Sequence, residues 1–246
     1  MLSPNAREVR MDDFGFVSGG YFIVERARRT SYMNGDLIPE SFVTASDCLV
    51  RFVPDAWSFE GASDLQLADR QEKAARFGLT VSALESFSAW CASALDRGEL
   101  GWLHVFLHLD DALRVKRDFF PRVNNLVVIG LALAGDLVSA FLEDLGAEAE
   151  SVAPGIVAAI RGGKAPSPEG QQLGYDVLGW DLGGFHSYLC NGLETEFAGS
   201  LGIRPNACGL FDRLEDARRC ADHCNAEATA AEPALWMPWH VAMYDG

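Results

Sequence analysis

The spacing of apolar positions along the chain switches repeatedly between two and three to four, the signatures of strand and helix. Residues 21–25 are apolar and aromatic, follow Gly19-Gly20, and predict a strand entered from a turn. A second run, 48–53, ends at Pro54, where a strand loses its next backbone donor. Between them, 32–46 holds Asn34-Gly35-Asp36 and Pro39 and is expected to be an ordered loop. Beyond Trp57 the period lengthens. Residues 63–77 suit a partly exposed helix ended by Gly78, and Thr80 caps a second helix carrying Leu84, Phe87, Trp90, Cys91 and Leu95 on one stripe, stopped at Gly98.

Strict alternation returns at 102–109, with Leu103, Val105, Leu107 and Leu109 on one face and Trp102, His104, Phe106 and His108 on the other. Asp110 and Asp111 then suit the start of a helix running to Phe120-Pro121. Residues 126–133 form a Val/Leu/Ile run broken by one glycine, which predicts a strand buried on both faces. Helical stretches at 136–145 and 151–160 follow, and Gly162 to Pro168 interrupts the pattern. Beyond this break, 174–181 reads as a strand, 185–198 as a helix, 204–210 as a loop and 214–227 as a helix. Residues 235–244 read as an aromatic strand placed at a sheet edge by its prolines. Strands alternating with helices predict an α/β or α+β fold, a mixed sheet with helices packed against it. The whole of 1–246 is expected to form one domain, with 162–168 the one candidate internal boundary.

Composition narrows the class of function. Hydrophobic residues make up 49% and charged residues 22%, an ordinary globular balance. A net charge of -15 disfavours phosphate backbones and anionic lipid as partners and favours a basic protein. The first ten residues lack the apolar segment of a signal peptide, and 126–134 is too short to span a bilayer, so a cytoplasmic protein is expected. The six cysteines are scattered and are expected to be reduced.

Three groups of residues could carry chemistry. On a helix, Cys220, His223 and Cys224 share a face, and with Cys208 they offer the ligand types of a zinc site; an ordinary helix face with buried thiols explains them as well. A helix over 185–198 would align His186, Cys190 and Glu194 one turn apart, so that the imidazole could activate the thiol of a small-molecule hydrolase or transferase. In the same segment Phe185, Tyr188, Leu189, Leu193 and Phe197 make a core-facing stripe that needs no catalysis. Gly183-Gly184 before such a helix could offer amides to an anion, and His104 and His108 could face a ligand. The third group is for binding: Glu143, Asp144, Glu148 and Glu150, with no lysine or arginine between them, form an acidic patch. Trp236 and Trp239 could anchor an interface or close the core.

The stretches Leu178-Gly179-Trp180-Asp181, Phe185 to Glu194, Ile38-Pro39-Glu40 and Ser46-Asp47-Cys48 resemble a widespread set of uncharacterised bacterial proteins over most of the chain. In general type these resemble cytoplasmic immunity proteins, which neutralise antibacterial toxins. The resemblance is one of general type, carries no assigned chemistry and transfers no binding residue; on the residues as a whole a protein partner and no cofactor are expected, and binding is favoured over catalysis.

Overall fold

A computed structural model of the chain describes residues 15–50, 67–101, 105–149, 153–181, 184–226 and 231–244. In chain order the elements are β1 (Phe16–Glu25), β2 (Ala27–Arg28), β3 (Ser41–Phe42), α1 (Leu67–Arg76), α2 (Val81–Asp96), β4 (Leu100–Gly101), β5 (Val105–Phe106), α3 (Leu109–Phe119), β6 (Leu126–Ala134), α4 (Val138–Leu145), α5 (Pro154–Arg161), β7 (Gln171–Asp181), β8 (Gly184–Ser187), α6 (Glu194–Glu196), α7 (Leu214–Cys224) and β9 (Trp236–Tyr244). Seven strands form one sheet in the order β4-β5-β1-β6-β9-β7-β8, and β2 pairs with β3 apart from it. The fold mixes α and β elements, with helices packed on the sheet as expected; the sheet itself is not mixed, because every strand pairing among the described residues is antiparallel.

β6 is buried at all nine positions because both of its faces are covered. Leu126 and Val128 face a cluster containing Phe77, Phe87 and Phe120 from the α1–α3 side. Val127, Ile129, Leu131 and Leu133 face the opposite cluster, to which α5 gives Ile156, Val157 and Ile160 and α7 gives Ala217, Cys220 and Ala221. Each fully buried side chain of this size is worth about 1.5–3 kcal/mol, so burial on both faces makes β6 a principal source of the sheet's stability. The α2 helix follows its sequence signals closely. Thr80 Oγ1 accepts the Ala83 amide at 3.1 Å, and Gly98 ends the helix with φ +69°. Gly162 to Pro168 joins α5 to β7, and strands from both sides of this loop share one sheet.

The structure corrects several expectations. Residues 47–49 form a turn, so the run from 48 does not begin a strand; residues 51–66 lie outside the described residues. Of the 102–109 alternation, only Val105–Phe106 is strand among the described residues. His108, with Asp110 and Asp111 in the turn that follows, occupies the cap of α3 and makes no side-chain cap bond. The region 185–198 is not one helix. Its first residues pair with β7 as β8, with Trp180 opposite Phe185 and Gly179 opposite His186. A 3-10 turn over Tyr188–Asn191, the short α6 and a π turn over Phe197–Leu201 follow. The apolar stripe is buried as expected, but cross-strand pairing with β7 overrides its helical spacing. Finally, β9 is central, lying between β6 and β7. Pro238 is accommodated because the ladder with β6 begins one residue later, at Trp239.

Candidate functional site

The β8 end of the sheet is organised around a buried acid. Asp176 on β7 is fully buried and accepts Thr44 Oγ1 at 2.6 Å and Ser187 Oγ at 3.0 Å. Thr44 Oγ1 accepts the Ser46 amide at 3.2 Å, and Ser187 Oγ accepts the Leu189 amide at 3.3 Å. One carboxyl thus ties both the 43–50 segment and the turn after β8 to the sheet. Burial pushes Asp176 up to about 7, against the opposing pull of the Thr44 and Ser187 hydroxyls and the Val177 amide.

Those two tethered segments carry the thiols. Asp47 donates its amide to Phe185 O at 2.9 Å, laying the 46–48 turn on β8. The Asp47 carboxylate lies over Gly184, in the space a Cβ there would take. As a result Ser46 Oγ stands 3.0 Å from Cys190 Sγ, and Cys48, two residues on, comes near enough for its charge to act on that thiol. Cys48 Sγ is also 3.4 Å from His186 Nδ1, and Glu232 Oε2 lies at ion-pair distance, 3.0 Å, from that nitrogen. Cys48 is exposed, whereas burial of Cys190 pushes its thiol up to about 12.

His186 and Cys190 are therefore brought to one place, but not as neighbours on a helix, and the thiol that touches the imidazole is Cys48. Both partners of His186 lie on Nδ1, whereas a relay of the protease type orients its base through the second ring nitrogen. Glu194 stands apart. Its buried carboxylate accepts the Asn34 amide at 2.7 Å through Oε1, which holds the loop around Asn34 against α6. Gly184 opens a strand, so it presents no helix N-terminus to an anion.

The other candidate groups part company. Cys220 and Cys224 do share a face of α7, but that face packs into the core, and burial pushes both thiols up to about 12. His223 Nε2 instead meets Glu196 Oε1 at 2.6 Å, and Cys208 is half-buried in a separate loop. Among the described residues, no three His, Cys, Asp or Glu side chains gather closely enough to hold a metal ion. Trp236 and Trp239 are each 1% exposed. Trp239 packs edge-on against Phe141 at 5.2 Å and Phe185 at 5.1 Å, closing the core and offering no contact face. Glu143 and Asp144 are exposed in the last turn of α4, the turn Gly146–Glu148 follows, and Glu150 lies outside the described residues.

A cleft of about 430 Å³ opens elsewhere, between the start of β1, the N-terminus of α3 and the 162–169 loop. Ser18, Tyr21, His108, Lys164 and Glu169 line it, and it shares no residue with the thiol cluster. No helix among the described residues is long and apolar enough to cross a membrane. Sequence reasoning missed Cys48, Ser46 and Glu232 as members of the thiol cluster. The signal that bears on them is the Ser46-Asp47 turn chemistry beside Cys48. Comparison of the chain with models of protein families, with curated proteins and with solved structures finds no match.

Proposed function

We propose that the protein acts by binding, as a cytoplasmic immunity-type protein whose acidic surface covers a basic toxin or another basic protein partner. The observation that carries this reading is the placement of Glu143 and Asp144. Both are exposed in the last turn of α4, where carbonyl groups already concentrate negative potential and where no basic residue offsets them. None of the ion pairs among the described residues includes either one. Each carboxylate therefore destabilises its own helix, by about 0.3–1 kcal/mol. A basic partner surface would turn that cost into attraction, and the net charge of -15 would speed the encounter.

The test is the double charge reversal E143K/D144K. Thermal denaturation is expected to show a variant more stable than the parent by about 0.5–2 kcal/mol. Capture from the native host, or co-expression with the product of the neighbouring gene, is expected to yield a basic protein with the parent and far less of it with the variant. Equal recovery by both proteins, or no partner for either, would overturn the reading.

One observation favours a second reading, hydrolase or transferase chemistry at His186 and Cys190. His186 does face a thiol, that of Cys48, at 3.4 Å. In that version Cys48 is the nucleophile and Cys190 stands in the same cluster, so a substrate screen should lose its signal in C48S before C190S.

A further inference from the structure

We propose that Cys48 and Cys190 form an oxidisable dithiol, a modification site at which a hydroperoxide converts the pair into a disulfide. The proposal stands apart from the binding reading and uses none of its residues.

Geometry divides the labour between the two sulfurs. Cys48 is exposed, so a peroxide can reach it, and its Sγ lies 3.4 Å from His186 Nδ1, which Glu232 Oε2 also faces at 3.0 Å; with the ring proton on Nε2, Nδ1 can take the thiol proton, and the Glu232 carboxylate then accepts from the imidazolium formed. Cys190 is half-buried and hydrogen-bonded at 3.0 Å to Ser46 Oγ, two residues before Cys48 in the same turn, and it lies near enough for the charge of Cys48 to act on it. It is placed to resolve, not to react first, and burial keeps it protonated at neutral pH until a partner sulfur draws it in. The scaffold holds the pair in register. The Asp176 carboxyl ties down Thr44 on one segment and Ser187 on the other, and the Asp47 amide bonds Phe185 O. The remaining cysteines are less available: Cys91, Cys220 and Cys224 are buried, and Cys208 lies half-buried in another loop.

The steps balance. The Cys48 thiol gives its proton to His186, and the thiolate sulfur attacks one peroxide oxygen. The O–O bond breaks, and the leaving alkoxide or hydroxide takes a proton from the imidazolium and departs as alcohol or water. Cys48 is now a sulfenic acid, oxidised by two electrons while the peroxide is reduced by two. The Cys190 sulfur then attacks the Cys48 sulfur, the S–S bond forms, the S–O bond breaks, and the hydroxyl leaves as water with the Cys190 proton. A small thiol reductant reverses the change.

The experiment treats the purified full-length chain with one equivalent of hydrogen peroxide. Intact mass, peptide mapping and dimedone trapping of sulfenic acid follow the reaction. The expected result is loss of two hydrogens, a cross-linked peptide pair joining Cys48 to Cys190, and full reversal by dithiothreitol. C190S should accumulate a dimedone adduct on Cys48, C48S should give no cross-link, and C208S should behave as the parent. H186Q should slow Cys48 oxidation at least about tenfold, because the proton acceptor is gone. Because Cys48 is exposed, C48S tests the idea even if C190S fails to fold. Oxidation spread evenly over the cysteines, a cross-link to any other cysteine, or an unchanged rate in H186Q would each overturn the proposal.

Discussion

Asp176 and His240 are buried titratable side chains in the sheet, and they tilt stability in opposite directions with pH. Burial raises Asp176 to about 7, so between roughly pH 4 and 7 the folded chain holds a proton that the unfolded chain has released. Stability from this group therefore falls as pH rises through that window, by about 1.4 kcal/mol for each unit. Burial lowers His240, packed between the Phe16 and Tyr175 rings, to about 4. Between about pH 4 and 6.5 the unfolded chain holds the extra proton, and stability from His240 falls as pH drops. The two slopes oppose each other in acid, and above about pH 6.5 only Asp176 still acts. Urea denaturation of D176N is expected to show greater stability than the parent at pH 8 and a loss of stability on acidification from 6.5 to 4 that the parent largely lacks. The asparagine can keep both hydroxyl contacts, since Thr44 and Ser187 can accept as well as donate. Parallel pH profiles for parent and variant would mean that Asp176 is ionised throughout.

At the scale of elements, the crossing of α5 over β4 rests on an absence of side chain. A Cβ on Gly101 would fall against Gly155 Cα, backbone against backbone, with no flexible side chain to swing away. G101A is expected to force the helix off the strand and to cost about 1–3 kcal/mol, read as a lower denaturation midpoint at unchanged slope. Contacts of this kind are invisible in sequence, and they separate the elements that were legible from those that were not. β6 and α2 were legible because their signals are local: an unbroken apolar run in one, a Thr80 cap, apolar stripe and Gly98 stop in the other. β8 is hidden in the sequence because Phe185, Leu189 and Leu193 are spaced like a helix face, while the deciding interaction is pairing with β7. The prolines of β9 signal an edge strand, but the tolerance of Pro238 depends on where the β6 ladder starts. The site divides in the same way. His186 and Cys190 are close in sequence, whereas Cys48 comes from far along the chain and joins them through the Asp47–Phe185 backbone bond and the Asp176 tether.

Across the whole molecule, 35 acidic residues face 20 basic ones, and arginines such as Arg97, Arg114 and Arg218 are already committed to carboxylate partners. The surplus is negative and must repel itself in the folded state. Added salt shortens the range of that repulsion from about 30 Å at 0.01 M to about 3 Å at 1 M, so the free protein is expected to melt at a higher temperature as sodium chloride rises. The same screening weakens attraction to a basic partner, chiefly through a slower association rate. Salt should therefore push stability and partner affinity in opposite directions, and E143K/D144K should blunt both responses because it removes charge from the surface that produces them. Melting curves and association kinetics taken over one salt series measure the two effects together. A complex whose association rate ignores salt, formed by a protein that salt does stabilise, would show that the acidic surface serves the free protein alone and that the partner, if there is one, binds elsewhere.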